Sequence, residues 1–145
     1  MSKVSLADYR ALAQFRYEIR KFLAFSEAAA RAAGIEPQQH QALLAVKGLP
    51  AGVEPTIGAL AERLCVQHHT AVALVDKLEE HGWVERKRAT SDRRQVLLTL
   101  TPRGSELLAK LSALHGQQLG AVGADMVQAL DLIVSAYARK SPQER

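Results

Sequence analysis

Residues 83–104, WVERKRATSDRRQVLLTLTPRG, constrain the fold of this chain more than any other stretch. Two short runs rich in β-formers, Trp83–Lys87 and Gln95–Leu100, flank the polar loop Ala89-Thr90-Ser91-Asp92-Arg93-Arg94. Val96, Leu98 and Leu100 alternate, so one face of the second run is apolar, which predicts a β-hairpin packed on one side. Arg86, Lys87, Arg88, Arg93 and Arg94 crowd its two shoulders against only Glu85 and Asp92. The hairpin therefore has a cationic tip.

Helices precede it. Over residues 5–33, Leu12, Phe15, Ile19, Phe22 and Leu23 recur at helical spacing, and Gly34 is a natural stop. Pro37 suits the first turn of a second helix, whose apolar side is Leu43, Leu44 and Val46 and which ends at Gly48 and Pro50. Thr56 is the candidate N-cap of a short third helix lined by Ile57, Leu60 and Leu64. A tight break near Val66–Gln67 leads to a fourth helix over about His68–His81, with Ala71, Leu74, Val75 and Leu78 facing inward and Gly82 closing it. After the hairpin, Thr101-Pro102 restarts helix through Leu107, Leu108, Leu111 and Leu114. Gly116, Gly120 and Gly123 predict a bend or break, then a last helix over about Asp125–Arg139 carrying Val127, Leu130, Ile133, Val134 and Tyr137.

The very short turn between helices three and four has helix-turn-helix spacing. With the hairpin directly behind it, the predicted class is mainly α with a small β-hairpin, a winged helix-turn-helix. The 145 residues suit one domain, with a lobe over about 36–101 flanked by helices over about 5–34 and 104–140. All three phenylalanines, Phe15, Phe22 and Phe25, lie on the first helix and span more than one narrow stripe. So broad an apolar face calls for two partners, its own domain and a second subunit.

The net charge is +4 and the isoelectric point about 9.5, with the excess concentrated around the hairpin, which favours an anionic partner. The single cysteine, Cys65, makes no internal disulfide and suits a reducing compartment. Set beside Leu64 and Val66, it is predicted to be buried and inert. No apolar run is expected to span a bilayer, and the N-terminus lacks the apolar centre of a secretory signal. A cytoplasmic protein with no membrane partner is predicted.

Gln67, His68, His69 and Thr70 open the fourth helix, where side chains reach base edges in a major groove. Gln pairs bidentately with adenine, Thr70 can meet a phosphate, a base edge or a thymine methyl, and imidazoles donate to phosphate or purine acceptors. Lys77, further along, meets the backbone. Alone, this face reads equally as a solvated helix surface; beside the cationic hairpin it reads as a DNA reader. Arg94 is suited to a narrow minor groove, and Asp92 to holding that guanidinium or capping an Asx turn. Arg86, Lys87, Arg88 and Arg93 read as phosphate clamps that add affinity and salt dependence. No Gly-rich phosphate loop, nucleophile elbow or metal-ligand cluster stands out, and the adjacent His68 and His69 point in different directions. Neither enzymatic activity, metal nor cofactor is predicted.

The run from Leu60 to Gly104, LAERLCVQHHTAVALVDKLEEHGWVERKR followed by SDRRQVLLTLTPRG, resembles the MarR (multiple antibiotic resistance regulator) family of bacterial transcription factors. The D-x-R of Asp92-Arg93-Arg94 and the L-T-x-x-G of Leu100–Gly104 are the most specific pieces. The resemblance implies a homodimer joined by the first and last helices, whose two lobes read a pseudo-palindromic operator. It assigns dimerisation to the helices over about 5–34 and 104–140, the minor groove to Arg94 and its support to Asp92. Family members often carry Ser at the start of the recognition helix and a polar or basic residue in its second turn. Gln67 and Ala73 stand here, which shifts recognition toward shape and phosphate contacts. Many members are released from DNA by small phenolic or lipophilic ligands, and Phe15, Ile19, His40, Leu44 and Leu111 are the residues the resemblance suggests for such a pocket. Taken singly, each of them reads more readily as ordinary core. Relatives that sense oxidants use a cysteine on the first helix, where this chain has none.

The combined reading is a homodimeric DNA-binding transcriptional regulator, a repressor in the first instance. Its helix 68–81 enters the major groove and its wing 88–95 the minor groove, and both a version released by a small effector and a ligand-independent one stay open. The alternative is a winged-helix protein-interaction module without DNA binding, which would not need a basic wing.

Overall fold

The computed structural model describes residues 3–88 and 95–138. In order it holds α1 (Leu6–Ala32), α2 (Pro37–Lys47), α3 (Ile57–Leu64), α4 (His68–Glu80), β1 (Val84–Arg88), β2 (Val96–Leu100) and α5 (Pro102–Ala138). Contacts divide the chain into two compact units, residues 29–112 and residues 1–28 with 113–145.

The unit 29–112 is built on α2, α3, α4 and the hairpin. Its core is Ile35, Leu43, Leu60, Val75, Leu78, Val84, Leu98, Leu108 and Leu111, all nearly or fully buried. Burying each such side chain contributes about 1.5–3 kcal/mol before the entropy of ordering it. Leu43 and Val46 face inward as the sequence predicts, but Leu44 is 44% exposed, because it sits one residue round the helix from the buried Leu43. Thr56 caps α3, its hydroxyl accepting from the Ala59 N–H at 3.1 Å.

Three helices stop by one device. The N–H groups of Ile35, Val66 and Trp83 each donate back five residues, to the carbonyls of Ala30, Ala61 and Leu78, while the preceding residue takes a left-handed conformation. Gly34 and Gly82 do so at φ +86° and +74°; between α3 and α4 the position falls to Cys65, at φ +56°. The turn that holds this residue out leaves its thiol exposed. The burial predicted from Leu64 and Val66 is corrected: a left-handed cap residue directs its side chain away from the helix it terminates.

β1 and β2 pair antiparallel, with Val84 opposite Leu100, Arg86 opposite Leu98 and Arg88 opposite Val96. The Leu98 N–H also donates to the Pro55 carbonyl at 2.7 Å, tacking the hairpin to the loop before α3. The tip, residues 89–94, with the predicted site residues Asp92, Arg93 and Arg94, lies outside the described residues.

Thr101 starts α5. Its hydroxyl accepts from the Gly104 N–H at 3.0 Å and donates to the Gly82 carbonyl at 2.6 Å. The bend expected at Gly116, Gly120 and Gly123 is absent: α5 is one helix of 37 residues. None of the three glycines takes a positive φ. Glycine weakens a helix by about 1 kcal/mol relative to alanine without removing a hydrogen bond, so a long helix carries it. Continuity also corrects the expectation about apolar runs. By length and composition α5 is apolar enough to cross a membrane, with a window of mean hydropathy 1.4.

In the unit of residues 1–28 and 113–145, Ser5 and Asp8 cap α1 reciprocally, each side chain accepting from the other's backbone N–H. His115 Nε2 lies 2.7 Å from the buried Ser26 hydroxyl, with Phe22 and Phe25 edge-on to the imidazole. Glu18, also buried, accepts from Gln14 Nε2 at 3.0 Å and pairs with Lys21 at 3.2 Å. Around these contacts the surface stays apolar: Leu6, Tyr17, Val127, Leu132 and Val134 are each more than half exposed.

Candidate nucleic-acid interface

α4 presents two faces. Ala71, Leu74, Val75 and Leu78 are buried, at the i, i+3, i+4, i+7 spacing of an apolar stripe. The opposite face carries His68, His69, Ala73 and Lys77, all exposed. Gln67 occupies the N-cap position without using its side chain for a cap hydrogen bond and is exposed. Thr70 is half-buried. Lys77 lies 3.4 Å from Glu80, one turn on, with both side chains more than 60% exposed; a pair so exposed contributes little to stability.

On the hairpin, Lys87 and Arg88 are exposed. Lys87 Nζ approaches Glu85 only to 4.0 Å. Arg86 behaves differently from its neighbours. Its Nη2 donates to Asp76 Oδ1 at 2.6 Å and its Nη1 to Glu79 Oε1 at 2.9 Å, both on α4. The Asp76 hydrogen bond and the Glu79 charge raise the guanidinium pKa against the partial burial that lowers it. Sequence reasoning grouped Arg86 with the phosphate clamps; in the structure its donors meet carboxylates. The signal was legible. Residues opposite one another on paired strands share a face, so Arg86 lies on the side of the buried Leu98, and Asp76 and Glu79 stand one helical turn apart.

The joint behind α4 is compact. The His81 and Trp83 rings stack at 4.6 Å with 20° between planes. Arg103 Nη1 donates to the His81 carbonyl at 3.2 Å. A cavity of about 380 Å³ beside it is lined by Ala33, Trp83, Arg103, Glu106, Leu107 and Lys110. None of the residues suggested for an effector pocket lines it. Phe15 and Ile19 belong to one compact unit and His40, Leu44 and Leu111 to the other. His40 and Leu111 are buried in the second, with His40 Nδ1 3.4 Å from Gln41 Nε2.

Residues 33–95 match the family model described as MarR family. The HTH-type transcriptional regulator SarZ of Staphylococcus saprophyticus is 31% identical over 86 residues, 58% of this chain and 59% of SarZ, so the chain spans under two thirds of that relative's length. Among solved structures, AbsC, a MarR family transcriptional regulator from Streptomyces coelicolor, superposes with a TM-score of 0.74 over 97% of both chains at 17% identity. The transcriptional repressor CouR, bound to a 23-mer DNA duplex, superposes with a TM-score of 0.63 over 92% of both chains at 25% identity.

Proposed function

We propose that this chain is a member of the MarR family, a reading supported by the family-model match over residues 33–95, and that it is a DNA-binding transcriptional regulator acting as a homodimer. The observation that carries the reading is the set of exposed polar and cationic side chains within residues 29–112. There the exposed Gln67, His68, His69 and Lys77 of α4 share a lobe with the exposed Lys87 and Arg88 of the hairpin. α4 lies in the major groove, with Gln67, His68, His69 and Thr70 nearest base edges. Lys77, Lys87, Arg88 and Arg93 meet phosphate, and Arg94, steadied by Asp92, enters the minor groove. The exposed apolar side chains of residues 1–28 and 113–138 are covered by a second copy, which doubles the lobe to match a pseudo-palindromic operator. The likeness to CouR, a transcriptional repressor bound to a DNA duplex, supports repression, and release by a small effector follows the family resemblance. Such a regulator works where the chromosome is, in the cytoplasm of a bacterial cell.

In-vitro selection from a random duplex library, followed by anisotropy titrations at several salt concentrations, tests this. The expected result is a two-fold-symmetric site whose log affinity falls linearly with log salt. Lys87→Ala and Arg88→Ala should each reduce that slope by about one. Failure of the wild-type protein to enrich any sequence refutes the reading, and a monomer in sedimentation refutes its symmetry.

A further inference from the structure

We propose that Arg86 is a positioning residue: it brackets the wing to the recognition helix and does not grip phosphate. The role rests on the DNA-binding reading above. It follows first from strand parity. Arg86 is two residues from Val84 (1% exposed) and opposite Leu98 (2% exposed), so its aliphatic stem lies on the core side of the hairpin, against α4. The outer side belongs to Glu85 and Lys87.

The second ground is geometry. One guanidinium fork spans two carboxylates, reaching Asp76 at 2.6 Å and Glu79 at 2.9 Å. A planar fork fixes direction as well as distance, which a point charge does not. The Arg86 side chain is 26% exposed, against 68% for Lys87. It is held, while its neighbour is loose.

The third ground is charge. Two carboxylates and one guanidinium leave this cluster net negative, a poor receptor for phosphate. Acidic residues on a helix that enters a groove need a local purpose, and holding Arg86 supplies one. The bracket joins the middle of β1 to the second half of α4. The angle between the wing and the base-reading helix is thereby set before DNA arrives.

The test uses the duplex recovered by selection with the wild-type dimer, titrated over a salt series against Arg86→Gln, Arg86→Lys, Asp76→Asn and the double variant R86Q/D76N. Arg86→Gln should weaken binding about three- to tenfold with the wild-type salt slope retained. Arg86→Lys, which keeps the charge and loses the fork, should fall comparably. Asp76→Asn should also weaken binding although it removes a negative charge from the DNA side, and the double variant should bind no worse than Arg86→Gln alone. A salt slope lower by about one in Arg86→Gln marks a phosphate contact and overturns the proposal. So does tighter binding by Asp76→Asn, or full affinity in Arg86→Lys. Absence of selective binding by the wild type overturns the functional reading itself, and this role with it.

Discussion

Two glycines of α5 should respond to the same substitution with opposite signs. Gly104 is buried three residues after the capping Thr101. A Cβ built there would lie 2.0 Å from the Trp83 carbonyl oxygen, 2.9 Å from its carbon and 3.1 Å from its Cα. All three are backbone atoms, so no side chain can swing aside. Gly104→Ala must push the start of α5 off the β1 entry by more than 1 Å. That displacement strains the Thr101 N–H bond to the Trp83 carbonyl (3.0 Å) and the Thr101 hydroxyl bond to Gly82 (2.6 Å). Two weakened hydrogen bonds cost about 1 kcal/mol each, and overpacking adds about 1–3 kcal/mol. The better helix propensity of alanine returns about 1 kcal/mol. The net loss is about 2–4 kcal/mol, a fall of roughly 5–15 °C in the melting temperature of a domain this size. Gly116 meets nothing within 4 Å, so Gly116→Ala should gain about 0.5–1 kcal/mol. Circular-dichroism melts at one fixed protein concentration compare the three proteins, because self-association shifts the midpoint. A Gly104→Ala protein that melts at or above the wild-type temperature refutes the close-approach argument.

Thr56→Ala removes the hydroxyl that accepts from Ala59 and should cost about 1 kcal/mol, read as a lower urea midpoint at unchanged slope. Cys65→Gly relieves a side chain held at φ +56° and should raise stability by about 0.5–1 kcal/mol; a melt lower than wild type contradicts that. The same exposed thiol should react to completion with Ellman's reagent in the folded protein, whereas slow labelling coupled to unfolding would return it to the interior.

Periodicity and punctuation made most of the fold legible. Gly34 and Gly82 end α1 and α4 because their positions demand a positive φ, and Thr56 and Thr101 start α3 and α5 because their hydroxyls cap. Where local rules misled, a longer-range condition decided. Gly116, Gly120 and Gly123 look like breaks, but a break needs a lost hydrogen bond or a left-handed residue, and α5 supplies neither. The apolar neighbours of Cys65 suggested burial, but chain reversal between α3 and α4 set its direction. Gly104 stands in the L-T-x-x-G motif that carries the family resemblance, yet only the coordinates supply its reason, the approach of the Trp83 carbonyl. Arg86 was read by charge alone. The alternation of β1, set against the one-turn spacing of Asp76 and Glu79, held its partners in plain sight.

The chain has a single tryptophan, and it is Trp83, stacked on His81 where α4 turns into β1. Its emission therefore comes from one joint of the molecule, free of any other indole. An operator duplex, a small effector or a changed bracket residue that shifts this joint should register as a change in colour or intensity of that one lamp, with no label attached. Rapid mixing would then time the motion of the DNA-reading half directly, in the unmodified protein.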